Sequence, residues 1–435
     1  MTYDILKPVF AGKRCVILGF GREGRVWLDI LKRLDVCEEI AVADMKPQEL
    51  SGVTLLCGGD YLKRAAEYDI ILQSPGVIIK DAYDEQTKAK ILTQAELLMR
   101  LKPCKIIGVT GTKGKSTTSS LIHHFLKASG IPTMLIGNIG VPPMERFEEM
   151  TEDMTAVCEL SCHQLEFARH SPDISVLLNI FPEHLDHYVS FEAYANAKRN
   201  IYRFQGAGDT AIVNADIALP EDLHGCRVVT AGCERPAMIY AENGAVHLCD
   251  KVYSPEELNS PLVGRHNAYN VCIALEAART AGADIAECIR SLRDFRGLEH
   301  RLEFVAKKNG VEYINDSICT IPEAAIAAVK AFDKTDCVIL GGMDRGIPYE
   351  ILGDFLNTGA VKNVVLLPDS GKRIGELITN SSVNVIYAAN MEEAVSAAAG
   401  CAKTRVILCP ASASYGFYKN FEERGRHFKA LVNAL

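Results

Sequence analysis

Short, nearly continuous apolar runs recur along the chain, and each ends in glycine or polar residues. Runs of that kind read as strands buried on both faces, the pattern of parallel sheets. The stretches between them carry apolar residues three and four apart, which is the helical period. Strand and helix therefore alternate from end to end, and the pattern predicts an α/β protein. The first unit is a strand over 13–18, a helix to about Leu34 and a strand over 39–43. A further strand over 68–73 ends in Ser74-Pro75-Gly76, and a helical stretch is predicted over 80–101. The next unit opens with an apolar strand over 105–109. Its helix places Leu121, Ile122, Phe125 and Leu126 on one face and is stopped by Gly130 and Pro132. Strands follow over 155–158 and 173–180, then a helix over 191–204. Residues 207–262 read as strands with tight turns, Asn243-Gly244 being a hairpin signal. A helix opens at Gly264-Arg265 and runs to Ala281, and a boundary is expected near 295–297. Beyond it a strand ends at Tyr313-Ile314-Asn315, Pro322 starts a helix, and strands over 338–340, 363–367 and 406–409 each end in small or polar residues. The partition we expect is 1–95, 96–296 and 297–435.

Composition changes this picture little. A chain of 435 residues has room for two to four domains. Its 48% hydrophobic and 23% charged residues are those of an ordinary soluble protein. The net charge of −8, from 47 basic and 55 acidic residues, argues against nucleic acid as an obligatory partner. No apolar run reaches the roughly 18 residues of a membrane span. The start, MTYDILKPVF, has an acid and a proline where a signal peptide has a basic start and an apolar core. A cytoplasmic protein without membrane insertion is expected. The 15 cysteines are scattered and form no Cys-x-x-Cys pair, so they read as reduced, buried small hydrophobes.

The chemistry concentrates at strand ends. Gly111-Thr112-Lys113-Gly114-Lys115-Ser116 follows the strand over 105–109 and opens a helix, the context of a phosphate loop. Its glycines let backbone N–H groups turn inward, and those groups with the helix N-terminus attract phosphate oxygens. Lys115 adds a charge near the β/γ-phosphates, and the Ser116 hydroxyl suits Mg²⁺. Thr117 completes the first turn. Gly19-Phe20-Gly21-Arg22-Glu23-Gly24, with Asp44 further on, matches a diphosphate-binding fingerprint whose nucleotide is open: NAD or a UDP-sugar. Ser74 stands at the end of a neighbouring strand. Asn138 is the polar member of the glycine-rich stretch 136–142. Glu159 ends a strand of the phosphate-loop sheet, where a carboxylate can hold Mg²⁺ or its waters, and Ser161 with Gln164 forms a capping box. Pro182-Glu183-His184-Leu185-Asp186-His187 puts three candidate ligands at another strand end. Lys198 falls in the middle of the apolar face marked by Phe191, Tyr194, Ala195, Ile201 and Tyr202. It either snorkels to the edge or is a half-buried reactive amine, able to form a carbamate. Asn267 and Asn270 share one helix face and either read a base edge or cap the helix.

The order of these motifs resembles the Mur ligases of peptidoglycan precursor synthesis. The resemblance spans essentially the whole chain. It rests on VTGTKGKSTT, GNIG, ELSCHQLE, NIFPEHLDHY followed by Lys198, GRHNAYN, EHRLE, NDS, GGMDRG and SASYGFYKNFEERG. It implies three domains: a Rossmann-like N-terminal domain holding a UDP-muramoyl substrate, a central P-loop ATPase domain with a parallel sheet, and a Rossmann-like C-terminal domain holding the incoming amino acid. It implies ATP and two Mg²⁺ ions, with Lys115 and Ser116 on the phosphates and the first ion, Glu159 on that ion, and His184 and a carbamylated Lys198 serving the second. Asn138 would contact the muramoyl substrate. Asn267, Asn270, Arg301 and Asp316 would hold the nucleotide, and Gly19, Phe20, Asp44 and Ser74 the UDP part. Thr320, Arg345, Ser414 and Phe421 would hold the amino acid. The implied reaction is ATP-dependent addition of D-glutamate to UDP-N-acetylmuramoyl-L-alanine through an acyl phosphate, by a monomer. Two departures touch the amino-acid pocket. Many relatives have lysine where this chain has Ile318, and some have lysine where it has Arg345. L-glutamate or another amino acid is therefore the first alternative. An NAD-dependent oxidoreductase and a non-catalytic nucleotide-regulated binding protein are the others.

Overall fold

The computed structural model describes residues 2–79, 82–139, 141–183, 187–217, 225–262, 264–295, 297 and 299–435. The chain divides into two compact units, Met1–Phe295 and Arg296–Leu435.

The first unit holds two sheets. The smaller contains β1 (Arg14–Leu18), β2 (Glu39–Asp44), β3 (Thr54–Cys57), β4 (Ile70–Gln73) and β5 (Ile91–Leu92), all parallel, in the order β3-β2-β1-β4-β5. The helix Arg22–Leu34 lays Trp27, Ile30, Leu31 and Leu34 on this sheet, and Phe10 meets the Trp27 ring edge-on. The stretch 80–101 departs from expectation. The structure describes two helices there, Glu85–Lys88 and Gln94–Leu101, with β5 between them. Ile91 and Leu92 pair with β4, and the Thr93 side chain accepts from Glu96 N to start the second helix afresh.

The larger sheet contains β6 (Lys105–Thr110), β7 (Thr133–Gly137), β8 (Thr155–Glu159), β9 (Ile174–Leu177), β10 (Thr210–Asn214), β11 (Arg227–Cys233), β12 (Ile239–Glu242), β13 (Ala245–Leu248) and β14 (Lys251–Tyr253). Its order is β14-β13-β12-β11-β10-β9-β6-β8-β7, parallel from β7 to β12 and antiparallel beyond. The β12–β13 hairpin turns at Asn243 and Gly244, both with positive φ, as a two-residue turn matched to strand twist requires. Helices Lys115–Ala128 and Arg265–Ala281 pack on one face through Ile122, Phe125, Ile273 and Leu275. One apolar core runs from Trp27 and Leu31 through Ile106 and Met134 to Leu177, so the two sheets of this unit share a core.

The second unit is a single sheet of β15 (Glu303–Lys308), β16 (Val311–Asn315), β17 (Cys337–Gly342), β18 (Asn363–Asp369), β19 (Asn384–Tyr387) and β20 (Arg405–Leu408). The order is β15-β16-β20-β17-β18-β19, with only β15 antiparallel. The fold class is thus α/β, with three largely parallel sheets. No described helix is long and apolar enough to cross a membrane. All 15 cysteines are free thiols.

Candidate active site

The phosphate loop lies between β6 and the helix Lys115–Ala128. Gly114 caps that helix with φ 88°, a left-handed conformation that favours glycine. A Cβ there would stand 2.8 Å from Asn270 Oδ1, so the helix Arg265–Ala281 presents Asn270 directly to the loop. Asn270 is buried and donates to Asn267 Oδ1 at 3.4 Å. Asn179, just past β9, fixes the loop from the other side. Its Oδ1 accepts from Lys113 N (2.8 Å), its Nδ2 donates to Lys113 O (2.9 Å), and its carbonyl accepts from Thr112 N (2.9 Å). Thr112 Oγ1 accepts from Phe181 N and shares a 2.8 Å hydrogen bond with the Tyr194 hydroxyl. The Lys113 side chain points outward to Glu183 at 2.7 Å. Sequence reasoning did not single out Asn179, although an asparagine at a strand end beside a glycine loop is the available signal.

Two lysines converge on this loop. Lys115 Nζ donates to Gly111 O (2.9 Å) and Thr112 O (3.0 Å), and burial lowers its pKa. Lys198 Nζ donates to the same Gly111 carbonyl at 2.8 Å and lies 5.0 Å above the Tyr194 ring. Lys198 is 2% exposed, so it is not a snorkelling lysine. Burial first, and the Lys115 charge second, lower its pKa to about 8. Phe191, assigned from its spacing to the same apolar face, is exposed at the first turn of that helix (Phe191–Arg203).

Glu159 closes β8 on the same edge and is 1% exposed. Asn138 Nδ2 donates to its Oε1 at 2.7 Å, and Asn138 N donates to its carbonyl at 2.8 Å. Gly137, φ 102°, permits this approach, since a Cβ would fall 2.2 Å from Glu159 O. Glu159 Oε2 is buried and has no hydrogen-bond partner. A carboxylate oxygen left bare in a dry site is costly unless a cation or donor reaches it. Among the described residues no group of three or more His, Cys, Asp or Glu gathers for a metal. One carboxylate and a hydroxyl are the donor set that suits Mg²⁺ held together with phosphates, and Ser116 stands half-buried in the loop helix's first turn with Thr117. His184, also expected here, lies outside the described residues. The capping box between Ser161 and Gln164 is present, and its helix is a single turn, Cys162–Leu165.

In the smaller sheet the structure brings Gly19, Phe20, Asp44 and Ser74 together. Phe20 N donates to Asp44 Oδ2 (2.8 Å), and Ser74 Oγ donates to Gly19 O (2.8 Å). Gly24 packs under Gly19 so closely that a Cβ would stand 2.3 Å from its carbonyl. The residue missed here is Glu23. Its Oε1 accepts from Gln164 Nε2 (3.1 Å), its Oε2 is buried without a partner, and burial raises its pKa to about 7. The fold therefore holds a proton that the unfolded chain releases from about pH 4.5 upward. Stability drains as pH rises from that point to about 7 and is level above it. Glu23→Gln is expected to gain about 2 kcal/mol on the wild type between pH 5 and pH 8 in urea melts; parallel curves at the two pH values would refute this.

In the second unit, Asp316 follows β16, accepts from Leu302 N (3.0 Å) and has its pKa raised to about 6 by burial, against the pull of Arg301. Arg345 Nη2 donates to Thr320 O at 2.9 Å. Ser317 Oγ donates to Phe421 O at 2.8 Å, and Ser414 is buried beside β20. A cavity of about 240 Å³ opens next to Ser414.

A phosphate loop with two converging lysines and a bare acid, set in a parallel sheet beside a diphosphate-type turn, defines an ATP-using α/β enzyme. Comparison with known proteins narrows the class. The Mur ligase middle domain matches residues 109–278, and the Mur ligase, glutamate ligase domain matches residues 300–413. UDP-N-acetylmuramoylalanine–D-glutamate ligase of Clostridium kluyveri is 33% identical, covering 100% of this chain and 99% of its own length. The protein of the same name from Symbiobacterium thermophilum is 33% identical over 97% and 98% of the two chains. Among solved structures, the MurC ligase of Thermotoga maritima superposes with a TM-score of 0.58 at 17% identity, covering 97% of this chain and 99% of that one. MurF of the same organism, solved with ADP, gives 0.55 at 16% identity over 99% and 97%. The chain belongs to the Mur ligase family, whose members are ATP-dependent, ADP-forming amide ligases.

Proposed function

We propose that this protein joins D-glutamate to UDP-N-acetylmuramoyl-L-alanine at the expense of ATP, in peptidoglycan precursor synthesis, as a monomer in the cytoplasm. The full-length likeness to ligases of that name supports the substrates. The observation that carries the chemistry is the bare, buried Glu159 oxygen on the same sheet edge as Lys115. The domain roles follow the partition at 95/96 and 296/297: UDP-muramoyl substrate, ATP, amino acid.

A carboxylate is a poor acyl donor because its leaving group would be oxide. Its oxygen attacks the γ-phosphorus of ATP, the P–O bond to ADP breaks, and an acyl phosphate results. The glutamate amine then attacks the carbonyl carbon, phosphate leaves, and the amine gives up its proton. Backbone N–H groups at Gly111 and Gly114 hold the phosphates, those of Thr112 and Lys113 being taken by Asn179, and Lys115 offsets charge between two anionic reactants. Ser116 and Glu159, then His184 and a carbamylated Lys198, are the residues to hold two Mg²⁺ ions, which supply further charge neutralisation. Asn138 orients Glu159 and meets the muramoyl group. Asn267, Asn270, Arg301 and Asp316 hold the nucleotide; Gly19, Phe20, Asp44 and Ser74 hold the UDP part; Thr320, Arg345, Ser414 and Phe421 hold glutamate. The carbamate forms when the neutral Lys198 amine adds to CO₂ and releases a proton, which a pKa near 8 permits at neutral pH.

The test is phosphate release with ATP, Mg²⁺ and UDP-N-acetylmuramoyl-L-alanine across a panel of amino acids. Release is expected with D-glutamate, in excess over L-glutamate, and only with all components present. No release with either glutamate would overturn the reading.

A further inference from the structure

Most cysteines of this chain are buried and behave as small hydrophobes. Cys15 and Cys37 differ, because each has the other as its neighbour. Their sulfurs lie 3.8 Å apart and share a hydrogen bond. Cys15 is the second residue of β1 and is fully buried. Cys37 is half-buried, in the segment between the helix Arg22–Leu34 and β2. That segment is fastened beside the start of β1. Gly12 N donates to Val36 O (2.9 Å), and Glu38 N donates to Lys13 O (3.0 Å). The backbone on both sides of Cys37 thus keeps its sulfur against Cys15.

The two thiols are unequal. The hydrogen bond with Cys15 lowers the pKa of Cys37, against the effect of burial. The same bond, together with burial, pushes the Cys15 thiol up. Oxidation follows thiolate character and access, so Cys37 reacts first and Cys15 is placed to resolve it. Neither thiol has a part in the ligation chemistry described above.

We propose that Cys15 and Cys37 are a reversible oxidation site, closed to a disulfide by hydrogen peroxide and reopened by thiols. The Cys37 thiolate attacks one peroxide oxygen, the O–O bond breaks, and a sulfenic acid and hydroxide form. The Cys15 sulfur then attacks the Cys37 sulfur, the S–O bond breaks, and a second hydroxide leaves. The two thiol protons turn both hydroxides into water. Two thiols thus lose two electrons, and one peroxide is reduced to two waters. Reopening is thiol exchange, in which two small thiols become a disulfide in their turn. The sulfurs have to close by about 1.8 Å, an S–S bond being about 2.05 Å long. The bond would enclose the turn at Gly19–Gly24 and the whole helix Arg22–Leu34 in one covalent loop.

The experiment treats the folded full chain with hydrogen peroxide, alkylates the remaining thiols and maps unreduced peptides by mass spectrometry. A peptide pair joined through Cys15 and Cys37 is expected, lighter by two hydrogen atoms than the reduced pair and lost on treatment with dithiothreitol. In Cys15→Ser, Cys37 should stop at the sulfenic acid. Dimedone, which traps that acid, should then label Cys37 about tenfold more than in the wild type, where the neighbouring thiol competes. In Cys37→Ser, Cys15 should stay reduced, since it is buried. The proposal fails if Cys37 stays reduced in the wild type, or runs on to the sulfinic acid with no joined peptide. An equal yield of the joined pair from the chain unfolded in urea would also overturn it, because the fold would then not be selecting these two thiols. Should Cys15→Ser not fold, the wild-type map and its urea control decide the matter alone.

Discussion

Lys115→Met will lower ATP-dependent phosphate release by a factor of about a hundred to a thousand, the effect of removing one preorganised charge from a developing anionic centre. The loss should appear in kcat more than in the KM for ATP, because backbone N–H groups of the loop still hold the phosphates. Folding should survive. Lys115 is a half-buried cation whose two hydrogen bonds go to carbonyls of its own loop, at 2.9 and 3.0 Å, and an apolar chain of similar length fills its space. Steady-state kinetics with a thermal melt on the same sample decides it. A fully active variant would mean that the loop does not cradle the reacting phosphate.

Lys198→Ala is expected to be nearly as damaging, and its damage to be chemically reversible. The side chain reaches the Gly111 carbonyl from a buried helix face, so truncation to alanine leaves a slot behind it. A short carboxylic acid such as acetate or propionate can enter that slot and supply the anion that the carbamate would have provided. Activity should therefore fall by about a hundredfold and recover in part as the acid is titrated in. Full activity in the plain variant would dispose of the carbamate. A loss that no acid restores would assign Lys198 to holding the loop instead.

Much of the fold was legible because its signals are local. The apolar runs at 105–109 and 155–158 locate β6 and β8, Asn243-Gly244 its hairpin, and Ser161 with Gln164 the capping box. The stretch 80–101 misled because β5 is two residues long, too short for any period, and exists through pairing with β4. Lys198 could not be resolved from spacing, since a lysine on an apolar face snorkels or is buried according to what lies beyond the helix. Here the Gly111 carbonyl lies there. Asn179 and Glu23 matter through partners 66 and 141 residues away in the chain, and no local pattern carries that information. The fingerprint at Gly19 found its turn, but the acid expected near a ribose also braces that turn through Phe20 N.

The Gly111 carbonyl has one further meaning. It accepts from both lysines while Asn179 grips the backbone of Lys113 on each side. Lys198 and Asn179 thus hold the loop in shape without Lys115. Arrival of ATP is then an exchange of partners at Lys115, carbonyl oxygens for phosphate oxygens, and not the freezing of a slack segment. Little ordering entropy is left to oppose binding, and the carbonyl that Lys115 gives up stays with the Lys198 nitrogen, which keeps an N–H to donate when it carries the carbamate.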